Sequence, residues 1–343
     1  MKFYHCADLH LGSPMDSRLP KEKAIERGRE LLSVFSNIAE SANSDGAAAV
    51  IVAGDLFDAS VVSEKTLGFV FETAGRFPDV DFLILKGNHD EKIAGIEKAP
   101  ENVKFFGTGW TYFDYGNVTV CGAERCDTSN LTLDPDRINI VVLHGADGSD
   151  FSLRDLKNKN IDYLALGHYH EYSCEKLDRR GVYCYSGCPE GRGFDEVGEK
   201  GYVVVETDEK SLSHRFVASS KRKILEIFAD LSAADTLEKQ RNAIISALSA
   251  ATARDIVRVT VTGTYELGRN KYYENIVSDL EKDYFFIELK DKSSLFINPD
   301  DYVNDVSLRG EFIRLVTEKI TDEEKRGRVI AYGLRALKGE RPE

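Results

Sequence analysis

Ala47-Ala48-Ala49-Val50-Ile51-Val52-Ala53-Gly54-Asp55-Leu56-Phe57-Asp58 is the stretch on which the reading of this 343-residue chain turns. The apolar run from Ala47 to Ala53 reads as a buried strand. Gly54 lets the backbone turn sharply, and Asp55 stands where the strand ends. Ligand groups in α/β sheets gather at the carboxyl ends of strands. Taken alone, an aspartate there is an ordinary helix cap or turn former. Four other strand ends, however, carry the same kind of cargo: Asp8-Leu9-His10, Gly87-Asn88-His89-Asp90, Leu143-His144-Gly145 and Gly167-His168-Tyr169-His170.

Working outward, residues 2–7 read as the first strand. Residues 21–43 read as a helix, with Ile25, Leu31, Leu32, Phe35, Ile38 and Ala39 near helical spacing. A second helix over 63–76 carries the core stripe Leu67, Val70, Phe71 and Ala74, and 81–86 is the third strand. The rhythm then changes. Residues 111–115 and 117–122 form a hairpin pattern around Tyr115-Gly116-Asn117. Apolar strands at 138–143 and 161–166 each deliver histidine, and short strands follow at 182–185, 202–206 and 214–218. This mixture predicts an α/β (α+β) fold, a two-layer mixed β-sandwich flanked by helices rather than a simple doubly wound sheet. Lys221-Arg222-Lys223 reads as a linker. Beyond it, strands at 224–228, 255–261 and 284–289 and helices near 233–250 and 270–280 predict a small C-terminal α+β cap. Residues 307–338 look helical, with many i,i+4 charge pairs. The expected parts are 1–220, 221–306 and a helical tail at 307–343.

A formal net charge of −13 argues against broad electrostatic wrapping of nucleic acid. It leaves room for a local site, because two divalent cations would add about four positive charges where a phosphate sits. The six cysteines are Cys6, Cys121, Cys126, Cys174, Cys184 and Cys188; none forms a CxxC pair, and reduced thiols in a cytosol are expected. No apolar run approaches the ~20 residues of a membrane span. The opening Met1-Lys2-Phe3-Tyr4-His5-Cys6-Ala7 has no signal-peptide layout, so the expected location is cytoplasmic, away from membranes.

Five of the seven histidines lie just after apolar strands, beside Asp8, Asp55 and Asn88. Ligands converging from several strands are how a rigid sheet builds a metal site. His5 and His214 sit inside strand-like runs and read as structural. The donor set is imidazole, carboxylate and one amide, without thiolate. That excludes a Cys-type structural zinc site and suits manganese, iron or zinc, as two ions rather than one. Two metals about 3.5–4 Å apart can clamp both oxygens of a phosphoryl displacement, and a carboxylate at the central strand end, Asp55, is the natural bridge.

The ordered series Asp-x-His, Gly-Asp-Leu-Phe-Asp, Gly-Asn-His-Asp, His and Gly-His-x-His resembles the calcineurin-like metallophosphoesterases. The wording Asp8-Leu9-His10-Leu11-Gly12, Gly54-Asp55-Leu56-Phe57-Asp58 and Gly87-Asn88-His89-Asp90 looks like the nuclease component of the SbcCD-type DNA repair complexes, the meiotic recombination 11 type. Tyr185-Ser186-Gly187-Cys188-Pro189 and Glu199-Lys200-Gly201 fit the same family, with Cys188 in place of the common small hydroxyl residue. The resemblance rests on motifs over residues 1–206 and on order and size from 221 onward.

That resemblance implies that Asp8, His10, Asp55 and His170 hold one metal, and Asp55, Asn88, His144 and His168 the other. His89 would protonate the leaving oxygen or stabilise the phosphorane, and Asp58 would orient His89. It further implies two Mn2+ ions, with Fe2+, Zn2+ and Mg2+ as the other candidates. The implied function is DNA exonuclease or endonuclease activity in end processing and double-strand break repair. The implied partners are DNA, a coiled-coil ABC-type ATPase of the SbcC type and a second copy of the chain. Two other functions stay open: hydrolysis of a small phosphodiester or cyclic nucleotide, which the net acidity favours, and a scaffold role in which residues 307–338 dock the ATPase.

Overall fold

The computed structural model describes residues 1–15, 19–58, 62–87, 96–266 and 269–337. Two compact units emerge, Met1–Lys223 and Ile224–Glu343.

The first unit is built on strands β1 (Lys2–Cys6), β2 (Ala49–Ala53), β3 (Asp81–Leu85), β4 (Val103–Phe105), β5 (Thr111–Tyr115), β6 (Val118–Gly122), β7 (Ile138–His144), β8 (Tyr163–Gly167), β9 (Ser173–Lys176), β10 (Val182–Tyr185), β11 (Gly201–Thr207) and β12 (Leu212–Ala218). Its helices are α1 (Lys21–Ser44), α2 (Glu64–Gly75) and the single turn α3 (Leu153–Leu156). Two six-stranded sheets result, ordered β12-β11-β1-β2-β3-β4 and β5-β6-β7-β8-β10-β9. Strands β1 to β4 run parallel in one and β6-β7-β8-β10 in the other, with antiparallel strands at one margin of the first sheet and both margins of the second. The mixed sandwich expected from the sequence is therefore present.

Strand alternation assigns each side chain its layer. Phe3, Ala49, Ile51, Leu83 and Leu85 face inward and meet Val118, Val120, Ile138, Ile140, Val142 and Ala165 of the opposite sheet. Tyr4, Cys6, Val50, Val52, Phe82 and Ile84 face outward and are covered by Leu31, Val34, Phe35 and Ile38 of α1 and by Leu67 and Val70 of α2. Because β2 is buried on both faces, it reads as an unbroken apolar run. Each such side chain contributes about 1.5–3 kcal/mol on burial.

Arg27 of α1 is fully buried. Its guanidinium donates to Glu30 at 2.6 Å, to Glu190 at 2.7 Å and to the Gly191 carbonyl at 2.6 Å, while Arg222 donates to Glu30 at 2.7 Å.

The cysteines bring a correction. Cys174 and Cys184 are disulfide-bonded, where reduced thiols were expected. They are register partners across the antiparallel pair β9–β10, a relation set by strand pairing that CxxC spacing does not reveal. Cys6, Cys121, Cys126 and Cys188 are unbonded.

The second unit has a parallel three-stranded sheet of β13 (Ile224–Asp230), β14 (Ile256–Thr262) and β16 (Phe286–Asp291), and a ribbon of β15 (Thr264–Glu266) and β17 (Ser294–Phe296). Helices α4 (Leu237–Ala247) and α5 (Tyr273–Asp279) cover the sheet through Ile244, Ile276 and Val277, with Leu248 just after α4. The helical segment near the end is two helices, α6 (Leu308–Lys319) and α7 (Glu323–Leu337). They are broken at Ile320, which takes an extended conformation, and they pack through Ile313, Val316, Ile330 and Leu334 onto Leu295. No helix among the described residues is long and apolar enough to cross a membrane.

Candidate metal centre

Among the described residues, each ligand candidate lies at or just beyond the carboxyl end of a strand. After β1 and β2 the chain keeps pairing through its loops: Asp8 N–H donates to Gly54 O at 3.1 Å, His10 N–H to Asp55 O at 3.0 Å and Leu11 N–H to Leu56 O at 2.9 Å. In the other sheet β7 ends at His144, and His144 pairs in register with Gly167 of β8, the residue before His168.

Glycines let these ends converge. A Cβ on Gly167 would lie 2.0 Å from the Ala53 carbonyl oxygen and 2.7 Å from the Ala7 Cβ; one on Gly87 would lie 2.1 Å from Asp55 Oδ1. Gly54 has φ +92°, and a Cβ there would lie 2.1 Å from His144 Nδ1.

The backbone is strained where the ligands leave it. Among the described residues seven non-glycine positions have positive φ, and four are ligand candidates: Asp8 (53°), His10 (46°), Asp55 (50°) and His168 (112°). Such conformations cost of order 1–3 kcal/mol each and persist only where the surroundings over-determine them.

Among the predicted ligands two groups of side chains come together, and His170 also joins Cys188 and Glu196. Asp8, His10 and His170 offer ligand atoms all within 4.8 Å of one another, and so do Asp8, Asp55 and His144. Asp8 thus belongs to both groups, whereas the sequence reading made Asp55 the shared residue. His10 Nε2 and His170 Nε2 stand 3.3 Å apart, and His144 Nε2 lies 3.3 Å from Asp55 Oδ2. His168 joins neither group. Its ring packs at right angles to His144, 5.7 Å away, and its backbone N–H donates to both Asp8 oxygens at 3.0 Å. Asn88 and His89 lie outside the described residues. Asp58 lies 3.3 Å from His10 Nδ1 and accepts from Arg192 at 2.7 Å.

The electrostatics follow from burial and crowding. Burial pushes the Asp8 carboxyl up to about 6, against the pull of His144, of the His168 N–H and of His170. Burial would lower His144, yet the hydrogen bond to Asp55 and the charges of Asp55 and Asp8 raise it to about 9. The hydrogen bond to Glu196 raises His170.

Residues 1–172, just over half of the chain, match the family model of the calcineurin-like phosphoesterases. The chain belongs to that family. It is 27% identical over 244 residues to an uncharacterized metallophosphoesterase, YhaO, of Bacillus subtilis, a match that covers 63% of this chain and 60% of that protein. It is 22% identical over 363 aligned positions to the DNA double-strand break repair protein Mre11 of Archaeoglobus fulgidus, covering 86% of this chain and 78% of that protein. With one of the subunits that make up the SbcCD nuclease of Staphylococcus epidermidis it shares 24% identity over 280 residues, covering 66% of this chain and 72% of that protein.

Calcineurin-like phosphoesterases bind divalent metals, and the donor set of this member fits them. His144 must donate Nδ1–H to the Ala53 carbonyl at 2.9 Å, and His170 donates Nδ1–H to Glu196 at 2.7 Å. Both imidazoles therefore turn Nε2 toward the carboxylates, and Nε2, once it gives up its proton, is the nitrogen that would bind a metal. Buried carboxylate and imidazole donors without thiolate suit hard or borderline divalent ions.

Sequence reading did not pick out Glu196 or Arg192, and it quoted Lys200 only within the Glu199-Lys200-Gly201 motif, without a role. Glu196 orients His170 and accepts from Arg192 at 2.9 Å. Arg192 ties Glu196 to Asp58, and buried Lys200 donates to the His170 carbonyl at 2.8 Å. They come from an irregular segment, where no period marks a residue as inward-facing. The charged residues Arg192, Asp195-Glu196 and Glu199-Lys200, set among Gly191, Gly193, Gly198 and Gly201, were the available signal.

Proposed function

We propose that this chain is a manganese-dependent DNA nuclease of the SbcD type, cleaving phosphodiester bonds at DNA ends in the cytoplasm. The observation that carries the reading is the convergence of Asp8, His10, Asp55, His144 and His170 from two sheets onto one buried cluster. The 86% of this chain that aligns with an archaeal DNA double-strand break repair protein supports DNA over other phosphodiesters. Partnership with a coiled-coil ABC ATPase, pairing with a second copy and DNA contact by residues 221–306 belong to the same proposal, as does a docking role for the tail at 307–343.

In this reading Asp8, His10, Asp55, His144, His168 and His170, with Asn88, would hold two divalent ions. Those ions would supply Lewis-acid polarisation of the phosphate and a water acidic enough to attack near neutral pH. The protein's own part is positioning. The His168 N–H fixes both Asp8 oxygens, the Ala53 carbonyl sets the His144 tautomer, and Glu196 sets that of His170. His89 would deliver the proton that the departing ribose oxygen takes up. Asp58 would orient His89 while bound to Arg192.

The test is a manganese-supplemented digestion of linear duplex, single strand, hairpin and a chromogenic phosphodiester, with EDTA and Asp55→Ala as controls. Metal-dependent DNA cleavage supports the reading. Turnover of the chromogenic ester or a cyclic nucleotide without DNA cleavage would establish the small-substrate alternative, which the net charge of −13 favours.

A further inference from the structure

Beside the metal centre lies a cavity of about 540 Å3, within the ~300–1,000 Å3 typical of small-molecule sites. Tyr169, Tyr172, Tyr183 and Tyr185 wall it, and His170 lines it too. We infer that this cavity seats a nucleobase carried by the nucleotide whose phosphate reaches the metal centre; the inference rests on the nuclease reading above and adds a base-recognition site to it.

Position is the first argument. Tyr169 lies between His168 and His170, and its ring centroid is 5.1 Å from that of His168. Tyr185 donates its hydroxyl to the carbonyl of Gly145, the residue after His144, at 3.1 Å. The aromatic wall is therefore attached to three ligand candidates.

Geometry is the second. Tyr169 is 49% exposed. It is propped edge-on by Tyr185, with ring centroids 4.8 Å apart and planes at 63°. Tyr183 is held by its own hydroxyl, which donates to Glu175 at 2.6 Å. An exposed ring held in place, with half-buried Tyr172 and Tyr183 beside it, forms a stacking surface that any base can use.

Charge is the third. Glu171, Glu175 and Asp195 line the same cavity. Its lysine, Lys200, is buried and commits Nζ to the His170 carbonyl. Such a lining repels phosphate and accepts hydrogen bonds, so it suits a neutral flat ring bearing amino groups. Adenine, cytosine and guanine meet that description.

The experiment compares the affinity of the manganese-loaded full chain for dAMP and for 2-deoxyribose 5-phosphate by calorimetric titration. The two share the phosphate and sugar and differ by the base. The expected preference for dAMP is about tenfold or more, the scale of one base–aromatic stack. In Tyr169→Ala the preference collapses toward one, and Tyr169→Phe keeps it. Because Tyr169 adjoins ligand candidates, manganese content is measured in each variant. Tyr183→Ala, on β10 and away from them, gives a second arm in which the preference must fall at least about threefold. Equal affinities in the parent chain, no measurable dAMP binding, or an undiminished preference in either alanine variant would each overturn the inference. A chain that prefers dAMP yet leaves DNA intact would instead overturn the nuclease reading. One that cuts DNA and binds both probes equally would overturn only the base site.

Discussion

Gly167 has room for a hydrogen atom and no more. With the Ala53 carbonyl oxygen 2.0 Å from the place its Cβ would occupy, Gly167→Ala must push β8 away from β2. Overpacking of this kind costs about 1–3 kcal/mol, and here the displaced groups carry ligands. The expected outcome is a lower melting temperature together with manganese uptake below that of the parent. Full uptake at an unchanged melting temperature would show that the strand ends can yield. Asp55 is tested more directly. If it bridges two ions, Asp55→Ala lowers both equivalents in elemental analysis. Retention of two tightly held ions would return the bridging role to Asp8, which lies in both ligand groups. The placement of these residues was legible in the sequence because a glycine and a candidate ligand follow an apolar run, a pattern that carries its own place in a sheet. Glu196 and Arg192 were not, because their roles depend on where an aperiodic loop folds back.

Helix α1 was read from its apolar stripe, and that stripe does face the sheet. Its polar face hid something else. Arg27 and Glu30 look like a solvated pair in sequence but are 0% and 2% exposed, because Glu190, Gly191 and Arg222 close over them. Replacing Arg27 by Leu leaves Glu190 buried without its cation, and removing one partner of a buried pair costs about 3–5 kcal/mol. Urea unfolding measures it; a loss below about 1 kcal/mol would mean that water reaches the cluster. A pH series separates the carboxylates. Burial alone would raise Glu30, but the Arg222 and Arg27 hydrogen bonds hold it below its ordinary 4.5. With the folded value below the unfolded one, this stability is present above pH 4.5 and is lost as pH falls below it. Burial pushes Glu190 the other way. Glu30→Gln should therefore flatten the loss of stability between roughly pH 5 and 3, and an unchanged slope would assign the acid sensitivity elsewhere. The same limit of sequence reading appears in Cys174 and Cys184, partners through register, and in the three-residue strands β15 and β17, too short to show a period.

For the whole chain, the boundary between the two units moves by three residues. The sequence reading ended the first part at 220, whereas the compact unit runs to Lys223. Those three residues matter physically. Lys221 N–H donates to Glu190 at 2.7 Å, and Arg222 donates to both Glu26 and Glu30. Truncation after Lys223 should thus leave a folded unit that retains metal and hydrolyses a chromogenic phosphodiester, while cleavage of long duplex DNA weakens. Truncation after Ser220 should melt at a lower temperature. Equal loss on both substrates in a folded, metal-loaded 1–223 fragment would show that residues 224–343 help to build the active site.

Opposed sheets in a sandwich ordinarily stand about 10 Å apart, too far for a carboxylate on one to share an ion with imidazoles on the other. Here the filling tapers. Phe3, Val118 and Ile138 hold the sheets apart at one end, while Ala7, Ala53 and Gly167 let them nearly touch at the other. The paired sheets close toward that edge, and the ligand candidates of both sheets meet there. An ion seated there would act as a stitch across the edge. Removing it by chelation should quicken amide exchange at residues 7–10 and 166–170, while the thick end around β5 and β6 exchanges as before.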